Sequence, residues 1–187
     1  MRFPTIVCAL LVAGCAAGAG SGETPDAAQA PRPAYPGYEP TAMEVVDAML
    51  RLARVTRTDV VYDLGCGDGR IVIAAAARFG ARGVCVEIDP ERLAESRANA
   101  HAAGVADRIR FLNEDLLAAD LGGATVVTLF LSSELNLALR PKLARELKPG
   151  TRVVSHWHAM PGWKPEQAVA VQTFLGGERY IYLWTIR

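Results

Sequence analysis

A short glycine-rich segment and three acidic residues are the parts of this sequence whose types and spacing could do chemistry. The segment runs DLGCGDG from Asp63 to Gly69. Glycines let a ligand lie against bare backbone, and a helix starting after them would direct free N–H groups at it. The spacing is G-x-G-x-G, because Arg70 stands where the dinucleotide fingerprint requires glycine or alanine. An acid ahead of the first glycine suits a positively charged ligand and suits a diphosphate poorly, which disfavours a dinucleotide-dependent oxidoreductase.

Two further acids follow the next two predicted strands. Glu87 ends the second strand, where a carboxylate of a doubly wound sheet accepts hydrogen bonds from ribose hydroxyls. Asp115 follows the third strand, where a carboxylate can accept from an exocyclic adenine amine. One such acid alone is typical of a turn or a helix cap. Three acids in register with a glycine loop instead favour a binding site at the carboxyl edge of a sheet.

Hydrophobic periodicity predicts strands alternating with helices in the order that positions these residues. Alternation of this kind implies a parallel sheet with helices on both faces. Gly176-Gly177 predicts a final hairpin that adds an antiparallel strand. A first helix starts at Thr41, with Glu44 at capping-box spacing. The predicted strands are 59–64, 83–88, 109–112, 124–131, 151–156, 168–174 and 180–186, and the later helices are 70–79, 90–103 and 134–147.

From Tyr38 to Arg187 the chain resembles the class I S-adenosylmethionine-dependent methyltransferases. The matching segments are VVYDLGCGDGRI, GVCVEIDP, NEDLL, LKPGTRVV and the terminal hairpin. The resemblance implies an α/β fold: a doubly wound, Rossmann-like, seven-stranded, mostly parallel sheet of order 3-2-1-4-5-7-6. It implies S-adenosylmethionine as cofactor, with Asp63 at the methionine amine, Glu87 at the ribose and Asp115 at the adenine amine. The other implied cofactor contacts are Gly65, Cys66, Gly67, Asp68, Gly69, Ile88 and Leu116.

Within this class, Tyr38-x-Pro40 and GCGDGRIVIAAA resemble small bacterial proteins related to mitochondrial protein-lysine methyltransferases. That likeness implies in-line methyl transfer to a protein lysine, with Tyr38 over the cofactor. The expected catalytic residues are Tyr38, Glu134 and Asn136. Glu134 either orients or deprotonates an amine, or caps the next helix together with the preceding serines. A small-molecule acceptor stays open, and the alternative function is a cofactor-binding, non-catalytic envelope lipoprotein.

Histidines and tryptophans cluster after the fifth predicted strand. His156, Trp157, His158 and Trp163 stand at the rim that would receive an acceptor. Two histidines without a third or fourth ligand are weak support for a metal. We therefore expect these residues to line a pocket and expect no metal site.

The N-terminus is typical of a targeting segment. Arg2 precedes an apolar run and small residues, which predicts a signal peptide over residues 1–20. Val12-Ala13-Gly14-Cys15 resembles the bacterial lipoprotein signal, with Cys15 as the lipidated residue. Residues 21–37 are rich in Pro, Ala and Gly and predict a linker, followed by the domain at 38–187. The sequence thus predicts a lipid-anchored or exported envelope protein, or a cytoplasmic one if the start codon is misassigned.

Composition limits the number of domains, the class of acceptor and the use of disulfides. The 187 residues suffice for one domain, and we expect a monomer. Lys plus Arg equals Asp plus Glu at 20 each, so the basic footprint of a nucleic-acid binder is missing and a nucleic-acid acceptor is disfavoured. Cys66 and Cys85 are the two cysteines of the domain. A domain of this size is held by its core, so we expect no disulfide framework.

Overall fold

A computed structural model describes residues 37–187 of the chain. The predicted signal peptide, Cys15 and nearly all of the predicted linker lie outside the described residues. Within the described range, no helix is long and apolar enough to cross a membrane.

Residues 37–187 form four α-helices and seven strands. The helices are α1 (Met43–Leu52), α2 (Arg70–Phe79), α3 (Pro90–Ala102) and α4 (Ser133–Glu146). The strands are β1 (Val60–Leu64), β2 (Arg82–Glu87), β3 (Ile109–Asn113), β4 (Val126–Leu129), β5 (Arg152–His156), β6 (Gln167–Gln172) and β7 (Glu178–Thr185).

The strands make one sheet of order β3-β2-β1-β4-β5-β7-β6, which confirms the predicted topology. The first five strands of the chain are parallel, and β7 runs antiparallel to both β5 and β6. β4 is shorter than the predicted 124–131. The chain leaves the ladder after Leu129 because it must turn into the N-cap of α4 at Ser132.

A continuous apolar cluster joins α1 and α2 to one sheet face. Val45, Val46, Met49 and Leu50 of α1 have no solvent exposure and pack with Val61, Val126, Val154 and Ile181 of the strands. Full burial of each such side chain stabilises the fold by roughly 1.5–3 kcal/mol. On α4, Leu135, Leu139 and Leu143 are buried in the same way.

The predicted capping box at the start of α1 is wrong. Ala42 is the N-cap, and no side chain caps the helix. The Thr41 hydroxyl instead lies 3.2 Å from His156 Nδ1, at the end of β5. The Glu44 carboxylate accepts a 2.9 Å hydrogen bond from the Phe174 backbone N–H in the β6–β7 turn. Both groups find tertiary partners, which local spacing does not predict.

The domain contains one disulfide that the sequence does not predict, because Cys66 and Cys85 are bonded to each other. Their Cα atoms are 5.3 Å apart, within the usual range for a disulfide. Cys66 lies in the loop after β1 and Cys85 lies in β2, opposite Asp63 in the parallel register. The cross-link therefore ties the glycine loop to the neighbouring strand, a proximity created by sheet pairing across a sequence separation of 19 residues.

Reduction of this disulfide should lower the melting temperature. In the chain-entropy model, a cross-link that closes a loop of this length raises the free energy of unfolding by roughly 3 kcal/mol. For a domain of this size that corresponds to a fall of about 10 °C in Tm. Calorimetry with and without dithiothreitol measures it, with Cys85→Ser as a control that should not respond to the reductant. Recovery of Cys66 and Cys85 only as free thiols after peptide mapping of oxidised protein would contradict the assignment.

Candidate functional site

The carboxyl edge of the sheet gathers the predicted acids. Asp63 and Glu87 stand at the ends of β1 and β2, which are adjacent and parallel. Asp63 pairs with Cys85, so Asp63 and Glu87 lie on the same face, two positions apart in register. Glu87 pairs in turn with Asn113 at the end of β3, and Asp115 follows directly. The three acids thus line one edge, as the sequence predicts.

Asp63 is a buried carboxyl group. It is 3% exposed, and the Thr128 hydroxyl of β4 donates a 2.8 Å hydrogen bond to its Oδ1. Desolvation by burial raises the pKa of Asp63 to about 7, and the charges of Glu87 and Asp68 act in the same direction. Among the ion pairs of residues 37–187, none involves Asp63. A cationic group placed here would therefore stabilise the carboxylate.

The glycine loop is anchored by Glu87. Gly65, Gly67 and Gly69 all have positive φ, a backbone conformation that other residues rarely adopt. The Gly67 N–H donates to Glu87 Oε2 at 2.9 Å, and the Asp89 N–H donates to Oε1 at 3.0 Å. Glu87 therefore shapes the loop besides facing the ligand position predicted for it.

An N-terminal strap, residues 38–41, lies over this loop. A Cβ on Gly67 would overlap Cε2 of Tyr38, so the tyrosine ring rests directly on the glycine. The Arg92 guanidinium lies 4.4 Å from the centre of that ring. Arg70 Nη1 donates to the Thr41 carbonyl at 2.9 Å and so holds the end of the strap. Tyr38 therefore lies against the glycine loop, and its expected position over the cofactor stays a prediction.

Asp68 and Arg70 form an ion pair beside Thr41, the last residue of the strap. Arg70 Nε lies 2.9 Å from Asp68 Oδ1, and Nη2 lies 2.5 Å from Oδ2. Desolvation acts to raise the pKa of Asp68, but the hydrogen bonds and charge of Arg70 outweigh it and hold that pKa below its usual value. Asn99 of α3 donates to the Asp68 carbonyl at 3.0 Å. Asp68, one of the predicted cofactor contacts, therefore stabilises the loop through its bonds to Arg70 and Asn99.

The adenine side of the predicted site lies after β2 and β3. Asn113 donates to the carbonyls of Glu87 and Ile88 at 2.9 and 3.1 Å. Asp115 accepts from the Leu117 N–H at 2.8 Å, and Leu116 is buried. Asn113 therefore ties the end of β3 to the segment after β2, and Asp115 stabilises the turn that follows β3.

The start of α4 contains the predicted acceptor residues. Ser132 is the N-cap and accepts from the Leu135 N–H at 3.2 Å. Glu134 is exposed in the first turn. Hydrogen bonding of its carboxylate to its own backbone N–H, and to a smaller extent to the Ser132 side chain, lowers the pKa of Glu134. Asn136 is fully buried and donates to the His158 carbonyl at 3.3 Å, while its Oδ1 has no hydrogen-bond partner within the described residues. Ser132 is therefore the N-cap of α4, and the Glu134 carboxylate interacts with the same helix end while it stays exposed at the rim.

His156 ends β5 beneath the strap. It is 2% exposed, its Nδ1 contacts Thr41, and its ring lies 4.0 Å from the Phe130 ring centre. Desolvation lowers the pKa of His156 to about 4, so the ring is neutral near pH 7. Its Nε2 has no hydrogen-bond partner within residues 37–187. In that range no three His, Cys, Asp or Glu side chains are arranged to hold a metal ion.

Three contributors to the site have no distinct signal in the sequence. The sequence predicts Thr128 only as part of a strand, Arg70 only as a departure from the dinucleotide fingerprint, and Thr41 as a helix cap. Thr128 contacts Asp63 because β1 and β4 pair in register, a neighbour relation that follows from the sheet order.

The arrangement fits the cofactor that the resemblance implies. Asp63 is a buried carboxyl that forms no ion pair within the described residues, which fits the ligand amine that the resemblance implies beside it. By the same resemblance, Glu87 and Asp115 would accept from ribose hydroxyls and the adenine amine farther along this edge. The donor set is acidic throughout, which suits a ligand with an ammonium and a sulfonium.

Comparison with known proteins places these features in a family. A model of the ANTKMT methyltransferase domain matches residues 63–167. A protein-lysine N-methyltransferase from Saccharolobus islandicus is 48% identical over 136 residues, which cover 72% of this chain and 84% of the relative. An adenine nucleotide translocase lysine N-methyltransferase from Mus musculus is 32% identical over 139 residues, covering 74% of this chain and 59% of the relative.

A solved structure is similar over most of its length. The crystal structure of an RNA methyltransferase from Salinibacter ruber, in complex with S-adenosyl-L-homocysteine, is 52% identical with a TM-score of 0.74. The match covers 79% of this chain and 94% of the Salinibacter chain.

Binding of S-adenosylhomocysteine should weaken as the pH falls below 7. Protons compete with the ligand ammonium for Asp63, whose pKa of about 7 in the free protein is set chiefly by burial. Well below that pH, the dissociation constant should rise by up to about tenfold per pH unit. Calorimetric titrations from pH 8 to pH 5 measure the effect.

The matched variant for this experiment is Asp63→Asn. It should bind about a hundredfold more weakly at pH 8, the loss expected for one charge-assisted hydrogen bond in a buried site. It should also lose the pH dependence between 5 and 7. Parallel pH profiles for wild type and variant would disprove the role of Asp63.

Substitution of Gly67 by alanine should displace the strap. The new Cβ would overlap the Tyr38 ring and would stand on a residue with φ of +54°. We expect loss of S-adenosylhomocysteine binding with a retained fold, checked by calorimetry and circular dichroism. Gly104→Ala is the control, because Gly104 also has positive φ but a Cβ there meets nothing within 4 Å. Equal ligand affinity in both variants would refute the close approach at Gly67.

Proposed function

Since the chain belongs to the ANTKMT methyltransferase family and is an S-adenosylmethionine-dependent methyltransferase, we propose that its acceptor is the side-chain amine of a protein lysine. The observation that carries this proposal is the 48% identity with a protein-lysine N-methyltransferase over 84% of that relative. The exposed carboxylate of Glu134 at the start of α4 supports it, because a negative charge at the rim of the site favours a cationic acceptor over an anionic one.

The chemistry requires alignment and loss of one proton. Bound S-adenosylmethionine supplies a sulfonium methyl group, and an amine lone pair displaces the neutral thioether in line. Since the leaving group is uncharged, the protein needs no oxyanion hole. It must hold the amine along the methyl axis after the acceptor ammonium has released its proton to water, a release that desolvation favours.

Three side chains take the acceptor roles in this proposal. Glu134, exposed at the first turn of α4, receives the incoming ammonium at the rim. The Tyr38 ring on Gly67 covers the cofactor position and excludes water. Asn136 positions the segment after β5 by donating to the His158 carbonyl. Its buried Oδ1 has no hydrogen-bond partner within the described residues.

An RNA acceptor is the second candidate. The observation in its favour is the 52% identity with the Salinibacter protein described as an RNA methyltransferase. The balance of 20 basic and 20 acidic residues gives no general attraction for phosphates, so we rank it below lysine.

One labelling experiment distinguishes these acceptors. The protein is incubated with tritiated S-adenosylmethionine and cell lysate, and the products are treated with ribonuclease or hydrolysed to amino acids. Lysine methylation predicts ribonuclease-resistant label that elutes as methyl-lysine, and Asp63→Asn protein should give only background. Label that ribonuclease releases as nucleotides would contradict the proposal and establish the RNA alternative.

We also propose that the chain is exported and lipidated at Cys15. The support is the N-terminal sequence pattern together with the Cys66–Cys85 disulfide, since disulfides persist in oxidising compartments. A radiolabelled fatty-acid pulse should mark the wild-type protein and leave Cys15→Ser unlabelled. Equal labelling of both, or of neither, would refute lipidation.

A further inference from the structure

The β6–β7 hairpin projects past the edge of the sheet that holds the cofactor residues. β7 is antiparallel to β5, and Ile181 pairs with His156, the last residue of β5. Residues 173–180 therefore continue beyond that point. At about 3.3 Å per residue, the turn stands roughly 10 Å above the end of β5. Because Asp63 and Glu87 end parallel strands at the same edge, the turn rises on the acceptor side of the molecule.

Two large apolar side chains form the tip of this hairpin. Phe174 is 93% exposed and Leu175 is 98% exposed, whereas the other exposed large hydrophobic residues of the described chain are at most 49% exposed. Adjacent apolar side chains so fully in water are a mark of an interaction site.

The tip is held in a defined conformation. Glu44 of α1 accepts from the Phe174 N–H at 2.9 Å. The Thr173 N–H donates to the Gly177 carbonyl at 3.1 Å, and its hydroxyl donates to the Gly176 carbonyl at 2.8 Å. A turn tied to both the hairpin and α1 presents its side chains with little ordering cost on binding.

Two exposed aromatic residues lie at the base of this hairpin, beside the end of β5. Trp157 and Tyr180 are 43% and 41% exposed, and the Trp157 N–H donates to the Tyr180 carbonyl at 2.7 Å. Trp157 has φ of +67°, a costly conformation for a bulky residue, directly after His156. Arg179 lies over its ring at 5.0 Å. We name Phe174, Leu175, Trp157 and Tyr180 the apolar rim.

Carboxylates flank the apolar rim. Glu44 lies beneath the tip, and Glu178 accepts from the Tyr180 hydroxyl at 2.6 Å. Glu134 is exposed at the start of α4 on the same edge of the sheet. Arg179 is half-buried against the Trp157 ring. An apolar surface bordered by acids complements a protein that carries apolar residues beside a lysine, and it repels phosphates.

We infer that the apolar rim is the docking surface for the methyl-acceptor protein, which engages it through an apolar segment next to the target lysine. This inference rests on the proposed lysine activity and adds the chemical class of the sequence around the lysine. Phe174 and Leu175 act as specificity determinants, because they contact the acceptor segment and no reacting atom.

The test compares two synthetic peptides with the full chain. Both contain one central lysine; one has leucine and valine on each side, and the other has serine at those positions. We expect wild-type protein to methylate the apolar peptide with a KM at least tenfold lower, as for anchors at a well-packed contact. The double variant Phe174→Ser/Leu175→Ser should raise that KM about tenfold, to the level of the serine peptide, with kcat and S-adenosylhomocysteine affinity unchanged.

Val169→Ser is the matched control. Val169 is a partly exposed apolar residue of the same hairpin, and it lies outside the apolar rim. It should leave both KM values unchanged.

Equal KM values for the two peptides, or an unchanged KM in the double variant, would overturn the inference and leave lysine methylation standing. Methylation of neither peptide by protein that binds S-adenosylhomocysteine would contradict the proposed function, and this inference with it. Loss of binding to phosphatidylcholine vesicles in the double variant, with peptide KM unchanged, would assign the tip to a lipid surface instead.

Discussion

The buried carboxyl of Asp63 is the constraint around which the site is built. Burial to 3% exposure with one hydroxyl donor makes ionisation of this carboxyl costly, which raises its pKa to about 7. Glu87 and Asp68 add to the negative field rather than relieve it. An ammonium group placed beside Asp63 would stabilise its carboxylate and lower that pKa again.

The surrounding structure holds the ligand position rigid. Sheet pairing sets Asp63 against Thr128, the Glu87 carboxylate closes the glycine loop, and the Cys66–Cys85 disulfide joins that loop to β2. The strap covers the glycine loop, because Arg70 donates a hydrogen bond to the Thr41 carbonyl and the Tyr38 ring rests on Gly67. Preorganisation of this kind is the main contribution that a methyltransferase scaffold can make to an in-line displacement.

Much of this could be predicted from the sequence. Strand and helix periodicity, the G-x-G-x-G loop and the acid after each strand are sufficient for the fold class, and the family resemblance supplies the strand order, because the loop chemistry is encoded locally. The errors have a common physical origin. Local spacing predicts a helix cap at Thr41 and Glu44 and does not predict a bond between the two cysteines. In the folded chain, the sheet brings partners that are distant in the sequence within bonding distance of these residues. The apolar tip at Phe174 and Leu175 resembles an ordinary hairpin turn in the sequence, since its exposure depends on what the rest of the fold leaves uncovered.

A crystal structure of the protein with S-adenosylhomocysteine bound tests the role of Asp63 most directly. We predict the ligand amine within hydrogen-bond distance of the Asp63 carboxylate, the ribose hydroxyls at Glu87 and the Tyr38 ring over the ligand. A ligand whose amine points away from Asp63, with that carboxyl still paired only with Thr128, would contradict the electrostatic role assigned to it.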